Sequence, residues 1–236
     1  LKFVRYYTYY ELFGGVFVKC AYCSVLACVF GGGEKLPADC PMSVSSDVMD
    51  KAKELYERDV EVRELARQSS IVEATGYMEW PRLRDTVEFA QRMKYKKLGV
   101  AFCIGLHREA GAVCQVLEGF GFEVVSVCCK TGALWKRDLG LPEEYIGYSK
   151  TGYLIGEISC NPVAQALYLN EQKTEMNVLV GLCVGHDVLF TKFSKAGVTT
   201  LIAKDRPLAH NPAGAINTYY YSMYFGELQK KMMGQK

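Results

Sequence analysis

The chain has 236 residues, half of them hydrophobic and 23% charged, which excludes disordered, collagenous and low-complexity proteins and leaves room for one sizeable core with an appended module. Its 28 basic and 26 acidic side chains leave a formal charge of +2, so the overall field gives no reason to expect nucleic acid or an anionic membrane as partner. No apolar run reaches the roughly 20 residues of a membrane-spanning helix, because the stretch from Val16 to Phe30 is broken by Lys19 and ends in Gly31, Gly32 and Gly33.

Residues 1–18 are rich in Tyr, Phe and Gly, show neither helical nor strand periodicity, and read as an extension preceding the fold. No small-residue cleavage site follows them, so the expected location is cytoplasmic. Ten cysteines are more than packing asks of a chain this size. In a reducing compartment they point to metal binding or redox chemistry rather than to disulfides.

Residues 19–46 form a Cys-, Gly- and Pro-punctuated module with little periodicity of its own, the pattern of a loop ordered by a metal. Cys20, Cys23, Cys28 and Cys40 are spaced C-x2-C-x4-C-x11-C. Two residues between the first pair let both thiolates turn toward one ion, and four thiolates satisfy tetrahedral zinc or a [4Fe–4S] cluster. A redox dithiol at Cys20 and Cys23 is the alternative.

Residues 47–95 read as linking helices. The first runs from Asp47 to about Ala74, with Val48, Ala52, Leu55, Val62 and Leu65 as its apolar stripe, and is broken by Gly76. The second follows Pro81 and carries Leu83, Val87, Ala90 and Met93 on one face.

Residues 96–236 alternate short β-branched runs with amphipathic segments, which predicts an α/β domain built on a small parallel sheet of about four strands with flanking helices. The strands fall at Leu98–Ile104, Phe122–Cys129, Asn177–Val184 and Val198–Lys204, and the helices around Leu106–Gly119, Pro162–Gln172 and Asp187–Lys195. The segment Lys130–Ser159 is longer than an ordinary strand-to-helix loop and is a candidate cover for a site.

In an open parallel sheet, ligands collect at the carboxyl ends of the strands. Cys103, Cys128, Cys129 and Cys183 fall at those ends and Cys160 at a helix start, so they are expected to share a cofactor site, with either Cys128 or Cys129 as the ligand from its strand. Buried thiols acting as small hydrophobes are the alternative. Cys114 shares a helix face with Ala110 and Leu117 and reads as core. His186, Asp187, Asp205 and His210 belong to the same edge as candidate acid–base groups, although Asp187 also fits a helix cap. Lys130 and Arg206 are placed to meet an anionic substrate, and His107 is a further histidine near Cys103. No P-loop, dinucleotide fingerprint or G-x-S-x-G elbow occurs.

The segments Cys20-Ala-Tyr-Cys23, Leu36-Pro-Ala-Asp-Cys40-Pro41, Val100-Ala-Phe-Cys103-Ile-Gly105-Leu106, Cys129-Lys-Thr-Gly132, Cys160-Asn-Pro162, Gly181-Leu-Cys183-Val-Gly-His-Asp187, Ala203-Lys-Asp-Arg206 and Leu208-Ala-His-Asn-Pro212 resemble domain-of-unknown-function family 1847, proteins of archaea and bacteria. The resemblance runs over roughly residues 19–215 and implies metal binding without naming a reaction. The resulting expectation is an iron–sulfur or zinc enzyme acting on a small molecule at the strand-end thiols. A zinc-stabilised regulatory protein and a metal or electron relay with a redox partner stand beside it. The aromatic run Tyr219–Phe225 is expected to be core or a homodimer contact.

Overall fold

A computed structural model describes residues 20–33 and 36–217. The proposed extension at 1–18 and the run Tyr219–Phe225 lie outside the described residues. The chain divides into two compact units after Arg67. Among the described residues no helix is long and apolar enough to cross a membrane.

In the first unit, 3-10 turns at Cys20–Tyr22 and Ala27–Phe30 precede α1 (Pro41–Val44) and α2 (Ser46–Arg58). The proline at the first position of α1 has no N–H to leave unpaired there. Helix α3 (Val60–Gly76) is separate from α2, where the sequence suggested one helix. Asp59 makes the break: its Oδ1 accepts the N–H groups of Glu61 and Val62 at 2.9 and 3.1 Å, capping α3 after its own backbone has turned extended.

In the second unit, α4 (Arg82–Arg92) begins behind Pro81 as expected. The elements that follow are β1 (Lys97–Phe102), α5 (His107–Gly119), β2 (Glu123–Cys128), a hairpin of β3 (Gly147–Tyr148) and β4 (Leu154–Gly156), α6 (Pro162–Glu171), β5 (Met176–Val180), α7 (His186–Phe193), β6 (Gly197–Ile202) and α8 (Gly214–Asn217). The four long strands form one sheet in the order β2-β1-β5-β6, every neighbouring pair parallel. This is the α/β architecture that the alternating periodicity predicts. The strands end one to four residues earlier than expected; after β1, for example, Ile104–Leu106 forms a 3-10 turn into α5.

Two apolar clusters sandwich this sheet. On one face Leu98, Val100 and Phe102 of β1 and Met176, Val178 and Val180 of β5 pack with Val87 and Ala90 of α4 and Leu117 of α5. On the other, Ala101, Val127 and Leu179 pack with Ala166 and Leu169 of α6 and Phe190 of α7. The period-2 alternation of a strand sends consecutive side chains to opposite faces, so Leu98, Val100 and Phe102 share one cluster and Ala101 and Cys103 the other. At least fifteen fully or nearly buried aliphatic and aromatic side chains thus order these layers; removing any one of the larger ones costs about 2–5 kcal/mol.

The register of β1 on β5 rests on a residue with no side chain. Gly99 stands opposite Asn177, and a Cβ on it would lie 2.0 Å from Asn177 Oδ1. Asn177 is fully buried and satisfied, its Oδ1 accepting from the Thr174 hydroxyl at 2.8 Å and its Nδ2 donating to Ser194 Oγ at 2.9 Å. The polar network behind the sheet therefore excludes any larger residue at position 99.

A string of thiols at the head of the sheet

The strand order changes direction at β1, whose two neighbours β2 and β5 are reached by connections leaving to opposite sides. Such a switch point opens a crevice beyond the carboxyl ends of the strands. Cys103 follows β1, Cys129 follows β2, Cys183 lies three residues after β5, and Cys160 immediately precedes Asn161, the cap of α6. Alternation aims Cys103 and Cys129 at the face covered by α6 and α7, the face to which Cys160 also belongs.

The four sulfurs run as a string. The Sγ atoms of Cys129 and Cys160 lie 3.5 Å apart, and the thiols of Cys183, Cys103, Cys129 and Cys160 and the imidazole of His186 influence one another electrostatically in that order. Backbone bonds hold the string in place: the Cys103 N–H donates to Val180 O, the Cys129 N–H to Phe102 O and the Asn161 N–H to Cys129 O. Gln165, fully buried on α6, donates from Nε2 to Val127 O at 2.8 Å and Phe102 O at 3.2 Å, tying the ends of β1 and β2 to the helix that carries Cys160.

Charge follows from this sharing of protons. Interaction with Cys129 first, then with Cys183 and the Gly105 N–H, and the positive charge of nearby Lys204 hold the Cys103 thiol far below its ordinary range. Cys160 is lowered by Cys129 and next by His186, whose own pKa is raised by the bond to Cys160. Cys129 and Cys183 move upward, because each is paired with a neighbour that ionises in its place and because both are buried. Arg206 donates to Cys183 Sγ at 3.2 Å and the Ile104 N–H to Cys129 Sγ at 3.4 Å.

Other residues singled out in the sequence sit differently. Cys128 packs beside both apolar clusters, and Cys129 is the member of the adjacent pair whose Sγ meets another thiol, that of Cys160. Asp187 turns onto its own helix, its Oδ1 accepting the N–H groups of Gly185 and Val188 at 3.0 and 2.8 Å. Asp205 and His210 close a turn on each other: the Asp205 N–H donates to His210 Nδ1 at 3.1 Å and the His210 N–H to Asp205 O at 2.7 Å. The Asp205 carboxylate accepts from the Leu208 N–H. Lys130 donates to Ile158 O at 2.6 Å across the long insertion. His107 sits edge-on to Phe102, and Cys114 packs half-buried against the core.

At the other cysteine motif, the Cys23 N–H donates to Cys20 O at 3.1 Å, so that pair shares one turn, and Cys40 caps α1. Cys20 and Cys28 are exposed and Cys23 and Cys40 half-buried. Among the described residues no three His, Cys, Asp or Glu side chains are gathered around a single point that could hold an ion, here or at the sheet. In kind, the strand-end donors fit a thiophilic metal: thiols already biased toward thiolate, an imidazole at one end and cations alongside. The 3.5 Å between Cys129 and Cys160 is close to the about 3.8 Å that separates two thiolates on one tetrahedral zinc, given a Zn–S bond of about 2.3 Å.

Residues 40–201 match the model of a family described as "Protein of unknown function (DUF1847)". The chain belongs to this family. An uncharacterized protein of Methanocaldococcus jannaschii is 42% identical over 204 residues, covering 86% of this chain and 96% of its own. No solved structure matches. The matched DUF1847 segment contains the whole thiol string and His186, and it leaves Cys20, Cys23 and Cys28 outside.

Two participants were not picked out from the sequence. Gln165 lies on the apolar face of α6 among Ala166 and Leu169, and a polar residue on such a face was the available signal. Lys136, between Trp135 and Arg137 in the insertion, gave none; it is buried only because the Lys136 N–H donates to Glu157 O and the Trp135–Ile158 bridge folds that segment inward.

Proposed function

We propose that this DUF1847 protein is a metal-dependent enzyme that binds a thiolate-held centre, an iron–sulfur cluster or zinc, at the strand-end string and acts there on a small molecule. The observation that carries the reading is the gathering of Cys183, Cys103, Cys129 and Cys160, four residues remote in sequence, at a topological switch point, with Cys129 and Cys160 in direct contact. These four are the proposed ligands. A bound centre would supply Lewis-acid polarisation or electron transfer to a substrate. His186, its proton affinity raised by Cys160, is the group fitted to hold a proton beside the site. Cys20, Cys23, Cys28 and Cys40 are proposed as a separate structural site, on the strength of their spacing.

The test is anaerobic purification followed by metal and acid-labile sulfide analysis of the wild-type chain and of a variant with serine at 103, 129, 160 and 183. The proposal expects a metal that the variant loses while its far-UV circular dichroism is unchanged. A wild-type chain without metal, or a folded variant with its full complement, refutes it.

A second reading, a dithiol relay that exchanges electrons with a redox partner, is favoured by the Cys129–Cys160 contact itself.

A further inference from the structure

The insertion places an unusual group beside the thiols. Lys136 is 9% exposed, and its Nζ is fully buried with no hydrogen-bond partner among the described residues. Burial and the neighbouring Lys130 both depress its pKa, while Cys160 opposes them, so the ammonium lies within electrostatic reach of Lys130 and of the end of the thiol string. An unpaired buried ammonium is costly unless a counter-charge completes the site.

Lys136 has cationic company. Lys130 acts on Cys160 and on His186. On the far side, Lys204 acts on Cys103, and its Nζ would stand 3.0 Å from a Cβ at Gly105, so that a side chain there would crowd it. Arg206 bonds Cys183 and is felt as far as Cys160. Among the described residues none of these four cations is ion-paired with a carboxylate; Asp187 and Asp205 each turn Oδ1 onto backbone N–H groups. These four cations thus stand along the string, Lys130 and Lys136 toward Cys160, and Lys204 and Arg206 toward Cys103 and Cys183.

We propose that Lys130, Lys136, Lys204 and Arg206 form the binding site for a small oxyanion, the carboxylate or phosphate of the substrate, held over the thiol string. This deepens the proposed function by assigning its substrate class and rests on the same site. The recognising chemistry common to both sources is an anionic group with several acceptor oxygens, for which Arg206 offers paired N–H donors and Lys136 a desolvated charge.

The experiment uses metal-free, reduced full-length protein, with phosphate and succinate titrated separately by calorimetry against chloride at matched ionic strength. The expected result is a millimolar or tighter Kd for one of them, weakened at least ten-fold by Lys136→Met and by Lys130→Met. Lys96→Met, at the opposite end of β1, should leave it within two-fold. Phosphate binding with succinate silent assigns a phosphoryl substrate, and the reverse a carboxylate. If neither anion binds better than chloride, or if Lys136→Met binds as tightly as the wild type, the inference falls. Anion binding in a protein whose thiols take up no metal would keep this inference and overturn the metal reading; metal without anion binding would do the opposite.

Discussion

Cys129 and Cys160 are 31 residues apart in the chain, yet their Sγ atoms lie 3.5 Å apart at the head of α6. The Asn161 N–H donates to Cys129 O at 2.7 Å, so the two backbones are tied next to the sulfurs. A disulfide needs about 2.05 Å, which leaves a small approach for a pair already in contact. Mild oxidation of metal-free protein with diamide should therefore join Cys129 to Cys160 before any other pair, the two thiols giving up two electrons and two protons as diamide becomes the hydrazine. Peptide mapping after alkylation reads the outcome. Cys128, aimed into the apolar layer, should stay a free thiol, and a bridge through it would contradict the alternation described above.

The bond from His186 makes a second expectation, about pH. Cys160 is lowered by Cys129 and by His186, so on metal-free protein its alkylation by iodoacetamide should persist well below the ordinary thiol range near about 8.5. His186→Phe should move that midpoint upward. The stability linkage has opposite signs for the two partners. Lowering of the thiol pKa stabilises the fold fully above the unfolded thiol pKa, and this is lost as pH falls through the folded value. Raising of the imidazole pKa stabilises it below about 6.5, and this is lost as pH rises through the folded value. An alkylation profile unchanged by His186→Phe would remove the histidine from the string.

Much of this site was legible in the sequence, for a physical reason. Strand periodicity and glycine punctuation located β1, β2, β5 and β6, and the rule that parallel strands present their carboxyl ends to one crevice then brought Cys103, Cys129, Cys160 and Cys183 to one edge. What could not be read was direction within a turn. Asp187 and Asp205 sit at the right edge but face backbone donors, because a carboxylate beside unpaired N–H groups takes the nearest of them. The break at Asp59 was missed for the same cause: its capping bonds override a helical stripe that runs on through it. Lys136 was invisible because its burial is decided by pairing between residues 134–136 and 157–159, which leaves no local periodicity.

Adjacent cysteines on β2 and just past it offer a contrast between neighbours. Cys129→Ser should lower metal content sharply, since it removes one of the two internal members of the string. Cys128→Ser should leave metal content unchanged and cost about 1 kcal/mol in urea unfolding, from a hydroxyl set against half-buried apolar surroundings. Equal metal loss in the two variants would mean that both thiols are ligands.

Gly99→Ala tests the packing behind the sheet. Its Cβ would overlap Asn177 Oδ1, so the variant should lose about 1–3 kcal/mol or more in urea unfolding. Asn177→Ala alone is also destabilising, because it strands Thr174 and Ser194. The double variant should lose less than the two singles together, by about 1 kcal/mol or more, since the clash disappears with the amide. Additive losses would place the two residues out of contact.

Gln165 links the fold to the chemistry, and the link can be cut without touching a thiol. Its Nε2 reaches Phe102 O and Val127 O from α6, the helix whose first turn follows Cys160. Phe102 O also accepts from the Cys129 N–H, so Gln165→Met leaves that carbonyl one partner; Val127 O loses the side-chain bond, for a cost of about 1–3 kcal/mol. The same substitution removes the only side-chain hydrogen bonds from α6 to the ends of β1 and β2 found among the described residues, so Cys160 should drift from Cys129. The expected readout is slower diamide closure of the Cys129–Cys160 disulfide at a temperature where the variant is fully folded by circular dichroism. Gln165→Glu separates position from charge: it keeps the shape but puts a carboxylate against two carbonyl oxygens, and should be worse than methionine in both stability and closure rate. If the methionine variant loses stability while its closure rate holds, Gln165 serves the core alone and the backbone bond from Asn161 to Cys129 is sufficient to position the thiols.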